Sequence, residues 1–464
     1  MKPAIAPIGL DYVADAAAAA GHDVRLCDLC FSEDVSAEVE SACAAFQPEV
    51  IGVTVRNTDD CYFSGQAFFV PEIREMVDAL RSVSDAPIVM GGVGFSIMPG
   101  AVMDFCRVDY GIAGEGERSF VRLLAALQGA SGLEEVPGLL YRDAQGVLRR
   151  NPREFLDMDA LPPCSRSLSD NRRYFAEGGQ AGFETKRGCN MNCVYCADPV
   201  AKGTAVRVRS PELVVRELRV LLAQGIDHFH TCDCEFNIPS EHAREVCRAI
   251  IDAGLGEKVR WYAYCAVTPF DREMADLFKR AGCAGIDFGA DSGSAEVLRA
   301  LGRHFGPEDL YNTANLCREY GIPFMYDLLV GGPGETRDTV RETIDLVRRV
   351  DADCVGVAMG VRVYPGTRMA DAVLARGEMA SNHDLHGARH NNPHFLKPVF
   401  YISSDLGEGI VGYLHKLVGG DPRFFLPSND EVQTNYNYND NTVLVRAIRS
   451  GARGAYWDIL RRMR

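Results

Sequence analysis

Apolar and polar positions in the first 130 residues follow the periods of helices and strands in turn. Apolar side chains recur every three or four positions in segments predicted to be helices: residues 9–20, 36–46 and 72–83. Short apolar runs predict strands: residues 24–29, 50–55, 87–90 and 110–113. The β-branched run at 50–55 is typical of a strand buried on both faces. This order predicts a doubly wound α/β sheet, which binds ligands at the glycine-rich turns after its strands.

Strand and helix alternate again between residues 181 and 370. Six apolar strands are predicted there, with helices between them: residues 182–186, 228–231, 260–265, 285–289, 324–330 and 354–360. Six such units are too few for a closed barrel of eight strands. The pattern therefore predicts a partial (β/α)6 barrel that is open on one side.

The pattern of apolar and polar positions changes again after Thr367. The chain therefore divides into four parts. We predict a Rossmann-like domain at residues 1–150, a linker at 151–180, the partial barrel at 181–374 and an α-rich C-terminal cap at 375–464. A chain of 464 residues has enough apolar material for two or three such domains.

Composition limits the kinds of molecule that the protein is expected to bind and the compartment in which it is expected to work. Lys and Arg total 49 against 64 Asp and Glu, which gives a net charge of −15, and no basic run is present, so we expect no nucleic-acid partner. No apolar stretch has the length of a membrane span, and the N-terminus lacks a signal-peptide pattern. Sixteen cysteines in a chain of this size indicate a reducing compartment such as the cytoplasm, with most of them serving as small core residues.

Three cysteines form a different pattern. Cys189, Cys193 and Cys196 have the spacing Cys-x3-Cys-x2-Cys on a loop that follows the first predicted barrel strand. Three thiolates at this spacing bind three irons of a 4Fe–4S cluster and leave the fourth iron open to a substrate or cofactor. A structural zinc site usually has four protein ligands, so the cluster is the favoured interpretation. Cys232 and Cys234 are a weaker candidate for a second metal site.

This motif, with Tyr195 before its last cysteine and a partial barrel around it, resembles the radical S-adenosylmethionine (SAM) superfamily. The resemblance implies that SAM binds the open iron and that one electron from the cluster cleaves SAM to a 5′-deoxyadenosyl radical. It implies cluster ligation by Cys189, Cys193 and Cys196. It places Glu235 first, and Asp233 second, as acceptor for the SAM amino group. The full set of implied SAM-binding residues is Tyr195, Asp233, Glu235, Asp291, Ser292 and Arg362.

The first domain resembles the cobalamin-binding domain that precedes many radical SAM barrels, on its segment 53–57 and its glycine turns at 91–94 and 114–117. The cobalamin-binding residues implied are Thr54, Arg56, Asn57, Gly91, Gly92, Gly94, Gly114, Glu115 and Gly116. The domain lacks the Asp-x-His-x-x-Gly motif that supplies a histidine to cobalt in other cobalamin proteins. We therefore expect no protein histidine on cobalt, with Arg56 or Asn57 near the lower face of the corrin.

Together the two resemblances imply a cobalamin-dependent radical SAM methyltransferase that acts on an unactivated carbon, or on phosphorus, of a small metabolite or natural-product intermediate. The implied cofactors are a 4Fe–4S cluster, SAM and cobalamin, with an external electron donor such as flavodoxin or ferredoxin. Methyl transfer follows hydrogen abstraction in a radical version and proceeds without it in a polar version. The alternatives are a cyclase or ring-rearranging enzyme of the same superfamily and, from another class, a non-catalytic cobalamin-binding sensor, which the intact cysteine triad disfavours.

The segment 375–464 lies outside both resemblances. We expect it to close over the barrel mouth, because a six-unit barrel is open at the side and a reactive radical must be kept from water. Candidate substrate contacts in this segment are His383, His386, His390, Tyr436 and Tyr438. The other interpretation is a C-terminal helix packed on the outside of the barrel.

Overall fold

Two largely parallel β-sheets organise the chain in the computed structural model, which describes residues 2–162, 164–427, 435, 436 and 440–464. The N-terminal sheet consists, in spatial order, of β1 (Ile51–Thr54), β2 (Ile88–Gly91), β3 (Tyr110–Ile112), β4 (Leu139–Arg142) and β5 (Leu148–Arg150). Strands β1 to β3 run parallel, whereas β4 and β5 are antiparallel to their neighbours. The helices of this part are α1 (Ile8–Ala19), α2 (Val35–Phe46), α3 (Val70–Val83), α4 (Val93–Ile97), α5 (Pro99–Cys106) and α6 (Gly116–Leu127).

Helices pack in pairs on this sheet, as the predicted doubly wound pattern requires. Helix α1 contacts α6, and α2 contacts α3, so that apolar residues fill the space between helices and sheet. The buried residues of the larger core here include Val55, Met90, Phe95, Val102 and Leu140. The predicted α/β fold is confirmed for this part of the chain.

Two details of the N-terminal prediction are wrong. Residues 24–28 form no strand, and Asp28 at the end of this segment instead accepts hydrogen bonds from the Tyr174 hydroxyl (2.9 Å) and the Cys30 amide (3.1 Å). Strand β1 consequently lies at the sheet edge and is not buried on both faces, since Gly52 and Thr54 are exposed.

The larger sheet begins after the linker helix α7 (Asn171–Gly178). Strand β6 (Ala181–Phe183) is followed by a short antiparallel pair, β7 (Lys186–Arg187) and β8 (Arg207–Val208). Parallel strands then follow in chain order: β9 (His228–Thr231), β10 (Arg260–Cys265), β11 (Cys283–Asp291), β12 (Phe324–Val330) and β13 (Cys354–Met359). The helices between them are α8 (Asp198–Lys202), α9 (Pro211–Ala223), α10 (Ser240–Asp252), α11 (Arg272–Arg280), α12 (Ala295–Ala300), α13 (Pro307–Tyr320) and α14 (Arg337–Val350).

The side of the barrel sheet that faces the helices is an apolar core. Its large buried side chains include Phe183, Phe229, Trp261, Phe288 and Phe324. Because alternate residues of a strand point to opposite faces, the residues between these positions face the barrel interior. The interior residues are therefore polar or small at several strands: Gly182, His230, Tyr264, Asp287 and Gly356.

The C-terminal segment completes the barrel from both ends. Near the carboxyl ends of the strands, β14 (Val361–Arg362) pairs with β16 (Val399–Tyr401), which also pairs with β15 (Leu385–Gly387). Strand β17 (Phe424–Phe425) pairs in parallel with β13 and gives the larger sheet a seventh strand, one more than the predicted six. The helices after β14 are α15 (Arg368–Ala375), α16 (Ile410–Val418), α17 (Thr442–Arg449) and α18 (Tyr456–Met463).

Helix α18 fills the barrel interior at the amino ends of the strands. The Trp457 ring lies edge-on to Tyr262, with 6.2 Å between ring centroids, and the Tyr262 hydroxyl donates to Asp458 at 2.8 Å. A side chain at Gly285 would come within 3.0 Å of the Trp457 ring. The expectation that residues 375–464 close over the barrel mouth is therefore incomplete, because their last helix plugs the opposite end and is not packed on the outside of the barrel. Among the described residues, no helix is long and apolar enough to cross a membrane.

We predict that Trp457→Ala lowers the free energy of unfolding by about 3–5 kcal/mol, because it removes a buried aromatic ring and leaves a cavity between Tyr262 and Gly285. Chemical denaturation followed by circular dichroism measures this change. Val147→Ala is the control, since Val147 is 49% exposed, and it should cost less than about 0.5 kcal/mol. Equal stability of the two variants would contradict the internal position of Trp457.

Candidate functional site

The loop that carries the three cysteines is fixed by backbone hydrogen bonds. Gly188 adopts φ +83°, and a Cβ at this position would collide with the Ala205 carbonyl, so glycine is required there. The Cys189 amide donates to the Gly203 carbonyl (3.1 Å), and the Val194 amide donates to the Leu301 carbonyl (3.0 Å). Cys189 is buried, whereas Cys193 and Cys196 are half-buried. The loop thus presents three thiols from a rigid backbone.

Asp233 stabilises the chain segment that leads into this loop. Its carboxylate accepts hydrogen bonds from the Thr185 amide (2.9 Å), the Thr185 hydroxyl (2.7 Å) and the Lys186 amide (3.1 Å). These bonds occupy both carboxylate oxygens, and the residue is buried. The structure therefore does not favour Asp233 as an acceptor for the SAM amino group; it orients the chain that enters the cysteine loop.

Arg303 links the loop to the strand ends, and the sequence analysis did not identify it. Its Nη1 donates to the Cys193 sulfur at 2.9 Å, and its Nε lies 3.2 Å from Asp291 Oδ2. Tyr195 donates to the same Asp291 oxygen at 2.7 Å. Asp291 and Tyr195 thereby hold the guanidinium against one thiol. Arg303 has no motif around it, and its contact with Cys193 spans 110 residues of sequence.

Glu235 differs from Asp233 because its carboxylate makes no hydrogen bond among the described residues. Its ion pair with Arg303 is long, at 3.9 Å. Burial raises the pKa of Glu235 to about 7, against the opposing charge of Arg303. The first-choice residue for the SAM amino group is therefore placed beside the cysteine loop with an uncommitted carboxylate.

The pKa values of the three thiols are shifted in different directions. A hydrogen bond from Cys234 lowers the pKa of Cys189 to about 6, whereas burial raises the pKa of Cys193 and of Cys196. In the part of the chain that the structure describes, no three His, Cys, Asp or Glu side chains are grouped to hold one metal ion. This gives no support to a second site at Cys232 and Cys234. It is compatible with an iron–sulfur cluster, in which each cysteine binds a different iron.

Two other predicted SAM contacts have side chains committed elsewhere. The Ser292 hydroxyl lies 3.0 Å from that of Thr343 on α14 and accepts from the Ser294 amide (3.1 Å), so it faces the helix layer. Arg362 pairs with Asp59 of the N-terminal part at 2.8 Å and also donates to the Phe395 carbonyl (3.0 Å). Both predictions are corrected for the side chains: Ser292 joins sheet to helix, and Arg362 joins the two halves of the chain.

The N-terminal sheet turns its glycine-rich edge toward the barrel. Thr54 and Arg56 are exposed at the end of β1, and Asn57 is half-buried. The Arg56 guanidinium acts electrostatically on Cys232, Tyr264 and Tyr456, all of the barrel and its plug. A cation on the N-terminal part therefore faces the barrel interior.

The glycines of this edge are needed for close backbone approach. Gly92 has φ +101°, and a Cβ there would lie 2.5 Å from the Val55 carbonyl oxygen; at Gly94 it would lie 2.8 Å from the Arg56 carbonyl oxygen. Gly91, Gly114 and Gly116 complete the same edge, and Gly114 has φ +100°. These glycines bring the turns close to the end of β1, and they leave a surface without side chains beside Thr54.

Glu115 differs from the other predicted cobalamin contacts, because its carboxylate already binds other residues of the protein. It forms an ion pair with Arg207 and accepts from the Leu156 amide at 2.6 Å. Arg187, directly before the cysteine loop, pairs with Glu117 (2.6 Å) and Glu184 (2.9 Å). The prediction that the Glu115 side chain binds cobalamin is therefore corrected: this side chain holds the N-terminal turn against the cysteine loop.

The barrel interior between these two parts is acidic and aromatic. Asp287 and Asp327 lie on neighbouring strands, and the His230 and Tyr264 rings are 4.8 Å apart. Tyr436 is buried beside Asp327, since a Cβ at Gly356 would meet the Asp327 Oδ1 at 2.5 Å and the Tyr436 hydroxyl at 2.9 Å. Sequence reasoning overlooked the two aspartates, although a charge within a buried apolar strand is a signal that could have found them.

Among the C-terminal candidates that the structure describes, only Tyr436 is placed in the barrel interior. His383 and His390 are exposed, because the short strand β15 and its flanking turns hold them on the surface. His386 packs edge-on against Phe63 at 5.9 Å. We do not retain the three histidines as substrate contacts. Tyr438 lies outside the described residues.

Comparisons with known proteins agree with this arrangement. Residues 183–347 match the family model of the Radical SAM superfamily, and residues 2–124 match that of the B12 binding domain. The chain is 31% identical to the tryptophan 2-C-methyltransferase of Streptomyces laurentii, over 98% of this chain and 94% of the relative.

Solved structures of the radical SAM methyltransferase TsrM from Kitasatospora setae are similar over the whole fold. The structure with tryptophan substrate and a SAM analogue gives a TM-score of 0.91 at 31% identity, covering 99% of this chain and 95% of that chain. The structure with cobalamin and a [4Fe-4S] cluster gives a TM-score of 0.89 at 30% identity, with the same coverage of 99% and 95%.

We predict that Asp233→Ala lowers the free energy of unfolding by about 2–4 kcal/mol, because two buried amides and one hydroxyl lose their acceptor. Thermal and chemical denaturation measure the change. Asp252→Ala removes an exposed carboxylate from the end of α10 and serves as the control, with an expected change below about 0.5 kcal/mol. If Asp233→Ala is as stable as the control, Asp233 does not support the loop.

Proposed function

The chain belongs to the family of cobalamin-dependent radical SAM methyltransferases, and on that premise we propose that it moves a methyl group from SAM, through cobalamin, to a carbon atom of a small molecule held in the barrel interior. The observation that carries the proposal is the placement of an acidic, aromatic interior between two sites: the cysteine loop with Arg303 and Glu235, and the glycine edge with Arg56. The cluster, SAM and cobalamin supply the electron and the methyl group when bound.

We assign the cluster to Cys189, Cys193 and Cys196. The rigid loop supports this assignment, as does the hydrogen bond from Arg303 to the Cys193 sulfur, because such bonds tune the reduction potential of iron–sulfur clusters. Glu235 is the acceptor we assign to the SAM amino group. Asp291 and Tyr195 act through Arg303 and are positioning residues.

Cobalamin is assigned to the glycine edge, between the N-terminal sheet and the barrel. Thr54, Asn57 and the glycines provide hydrogen-bonding backbone and side chains without bulk, and Arg56 provides a positive charge. A cation close to the lower face of the corrin disfavours a further ligand to cobalt from that side. His22 is the one histidine in residues 1–130, and no cobalt-binding motif surrounds it.

The domain boundaries that fit this proposal are those of the sequence prediction, with a cobalamin part at 1–150 and a radical SAM part at 181–374. The last part, 375–464, contributes Tyr436 to the substrate site and Trp457 to the plug. We propose an external donor of flavodoxin or ferredoxin type for the cluster electron, no nucleic-acid partner, and a reducing cytoplasmic location. The sixteen free cysteines support the location.

Incubation of the anaerobically reconstituted protein with methyl-labelled SAM and candidate substrates tests the function. Tryptophan is the first candidate, because it is the substrate bound in the Kitasatospora enzyme. Methyl transfer releases S-adenosylhomocysteine and gives a product heavier by one methylene group, because methyl replaces hydrogen. Mass spectrometry of a product with unchanged carbon count would instead indicate a cyclase or rearrangement.

We predict that Cys189→Ala, Cys193→Ala and Cys196→Ala each lose the cluster and all turnover, because each thiolate binds one iron. Iron content and visible absorbance after reconstitution measure the loss. Cys27→Ala is the matched control, since Cys27 is exposed on the N-terminal part, and it should retain both. A triad variant with a complete cluster and normal activity would refute the assignment.

We further predict that cobalamin binds without a histidine ligand. Electron paramagnetic resonance of the cob(II)alamin form should show no hyperfine splitting from a protein nitrogen. The spectrum of His22→Ala should be the same as that of the unaltered protein. Nitrogen splitting that disappears in His22→Ala would contradict the prediction.

A further inference from the structure

A buried lysine beside the cysteine loop has no partner for its charge. Lys186 on β7 is 2% exposed, and its side chain makes no hydrogen bond or ion pair among the described residues; only its backbone amide reaches a carboxylate, that of Asp233 (3.1 Å). An ammonium buried without an anion is costly. The position therefore calls for an anion that the described part of the protein does not supply.

The Lys186 side chain points toward the cysteine loop. Its neighbour Arg187 reaches Glu117 of the N-terminal part at 2.6 Å. Because consecutive side chains of a strand point to opposite faces, Lys186 points away from that part. Its charge acts electrostatically on Cys189 and on Glu235. The ammonium thus lies on the side of the cluster thiols and of the carboxylate that we assign to the SAM amino group.

Glu235 is a carboxylate near Lys186 that is not committed to another residue. Asp198, on which Lys186 also acts, is paired with Lys202 at 3.3 Å. The Glu235 carboxylate accepts no hydrogen bond among the described residues, and its ion pair with Arg303 is long, at 3.9 Å. Lys186 and Glu235 nevertheless form no ion pair in this part of the chain. The fold therefore holds two opposite charges near one another without joining them.

Both charged groups can be reached by a small molecule. The described residues include several buried polar atoms that are fully enclosed and lack a partner, such as both carboxylate oxygens of Asp287. Neither the Nζ of Lys186 nor the carboxylate oxygens of Glu235 are among them, although these atoms lack hydrogen bonds. They consequently border a space that a ligand can enter.

A zwitterion is the kind of ligand that fits two separate opposite charges. An inorganic anion would be attracted by Lys186 and repelled by Glu235, and for a metal cation the two signs are reversed. An α-amino acid carries an ammonium and a carboxylate on one carbon, so each of its charges finds an opposite charge here. SAM ends in such a group.

We propose that Lys186 is a SAM-binding residue: its ammonium donates to the SAM carboxylate, while Glu235 accepts from the SAM amino group. This inference rests on the proposed function, because it takes the space beside the cysteine loop as the SAM site. Two rival explanations make different predictions: Lys186 only offsets the negative charge of the cluster thiolates, or it binds a molecule other than SAM.

Equilibrium dialysis of the reconstituted holoenzyme without reductant tests the inference with three probes: SAM, decarboxylated SAM and 5′-methylthioadenosine. Decarboxylated SAM lacks only the carboxylate, whereas 5′-methylthioadenosine lacks the whole amino-acid end. We expect the unaltered protein to bind SAM at least about tenfold more tightly than decarboxylated SAM. Because the open iron also favours the carboxylate, the decisive quantity is the change in this preference when Lys186 is replaced.

The variant Lys186→Met keeps the apolar stem and removes the charge. It should weaken SAM binding by about tenfold or more, while binding of decarboxylated SAM and of 5′-methylthioadenosine stays within about threefold. Lys186→Gln should give the same result and replaces Lys186→Met in the test if iron content or circular dichroism shows that the methionine variant is not intact. Lys258→Met makes the same chemical change at an exposed lysine before β10 and should alter none of the three affinities.

The inference is overturned if the Lys186 variants weaken SAM and decarboxylated SAM equally, which indicates that the lysine only offsets the charge of the cluster. It is also overturned if they weaken neither, which indicates that Lys186 serves another ligand. Methyl transfer by the reduced, unaltered protein reports on the proposed function separately. Methyl transfer without the change in preference removes the inference alone, and the change in preference without methyl transfer removes the function alone.

Discussion

Buried ion pairs between the two halves of the molecule set their relative position, and the Arg187 pair lies beside the cysteine loop. Arg187 pairs with Glu117 of the N-terminal part and with Glu184 beside β6, and it directly precedes Gly188 and the cysteine loop. The same side chain therefore fixes both the edge assigned to cobalamin and the loop assigned to the cluster. Asp59 and Arg362 make a second buried pair across the interface. Since breaking a buried pair leaves an uncompensated charge, the interface resists sliding, and the interior between the halves keeps its dimensions.

The features that were predicted correctly from the sequence are those that depend on residues close together in the chain. The cysteine spacing lies within eight positions, and the strand order follows from local periods, so both are visible without a structure. An acidic residue at a strand end looks the same whether it binds a ligand or caps a backbone. The sequence alone therefore could not separate Asp233, whose carboxylate accepts three hydrogen bonds from the protein, from Glu235, whose carboxylate accepts none among the described residues. Arg303 and the Arg187–Glu117 pair join distant parts of the chain, and no local pattern marks them.

The barrel interior has two halves of different chemistry. At the amino ends of the strands, Tyr262, Met325 and Trp457 form a closed apolar cluster around the last helix. Toward the carboxyl ends, the interior becomes acidic at Asp287, Asp327 and Glu235, and the aromatic rings become partly exposed. The apolar half excludes water from one side of the polar half. Electrostatic interactions in such a low-dielectric environment are stronger than in water. Tyr436 belongs to both halves, because its ring packs on Phe425 and its hydroxyl lies near Asp327.

Strand β17 and helix α18 come from the last forty or so positions of the chain, yet they pair with β13 and occupy the floor of the barrel. The pairing of β17 with β13 covers an edge of the larger sheet that would otherwise present unpaired backbone groups. A truncation before residue 424 would uncover that edge and open the floor of the barrel, so the interior to which we assign the substrate would be exposed to water from the end opposite the cysteine loop.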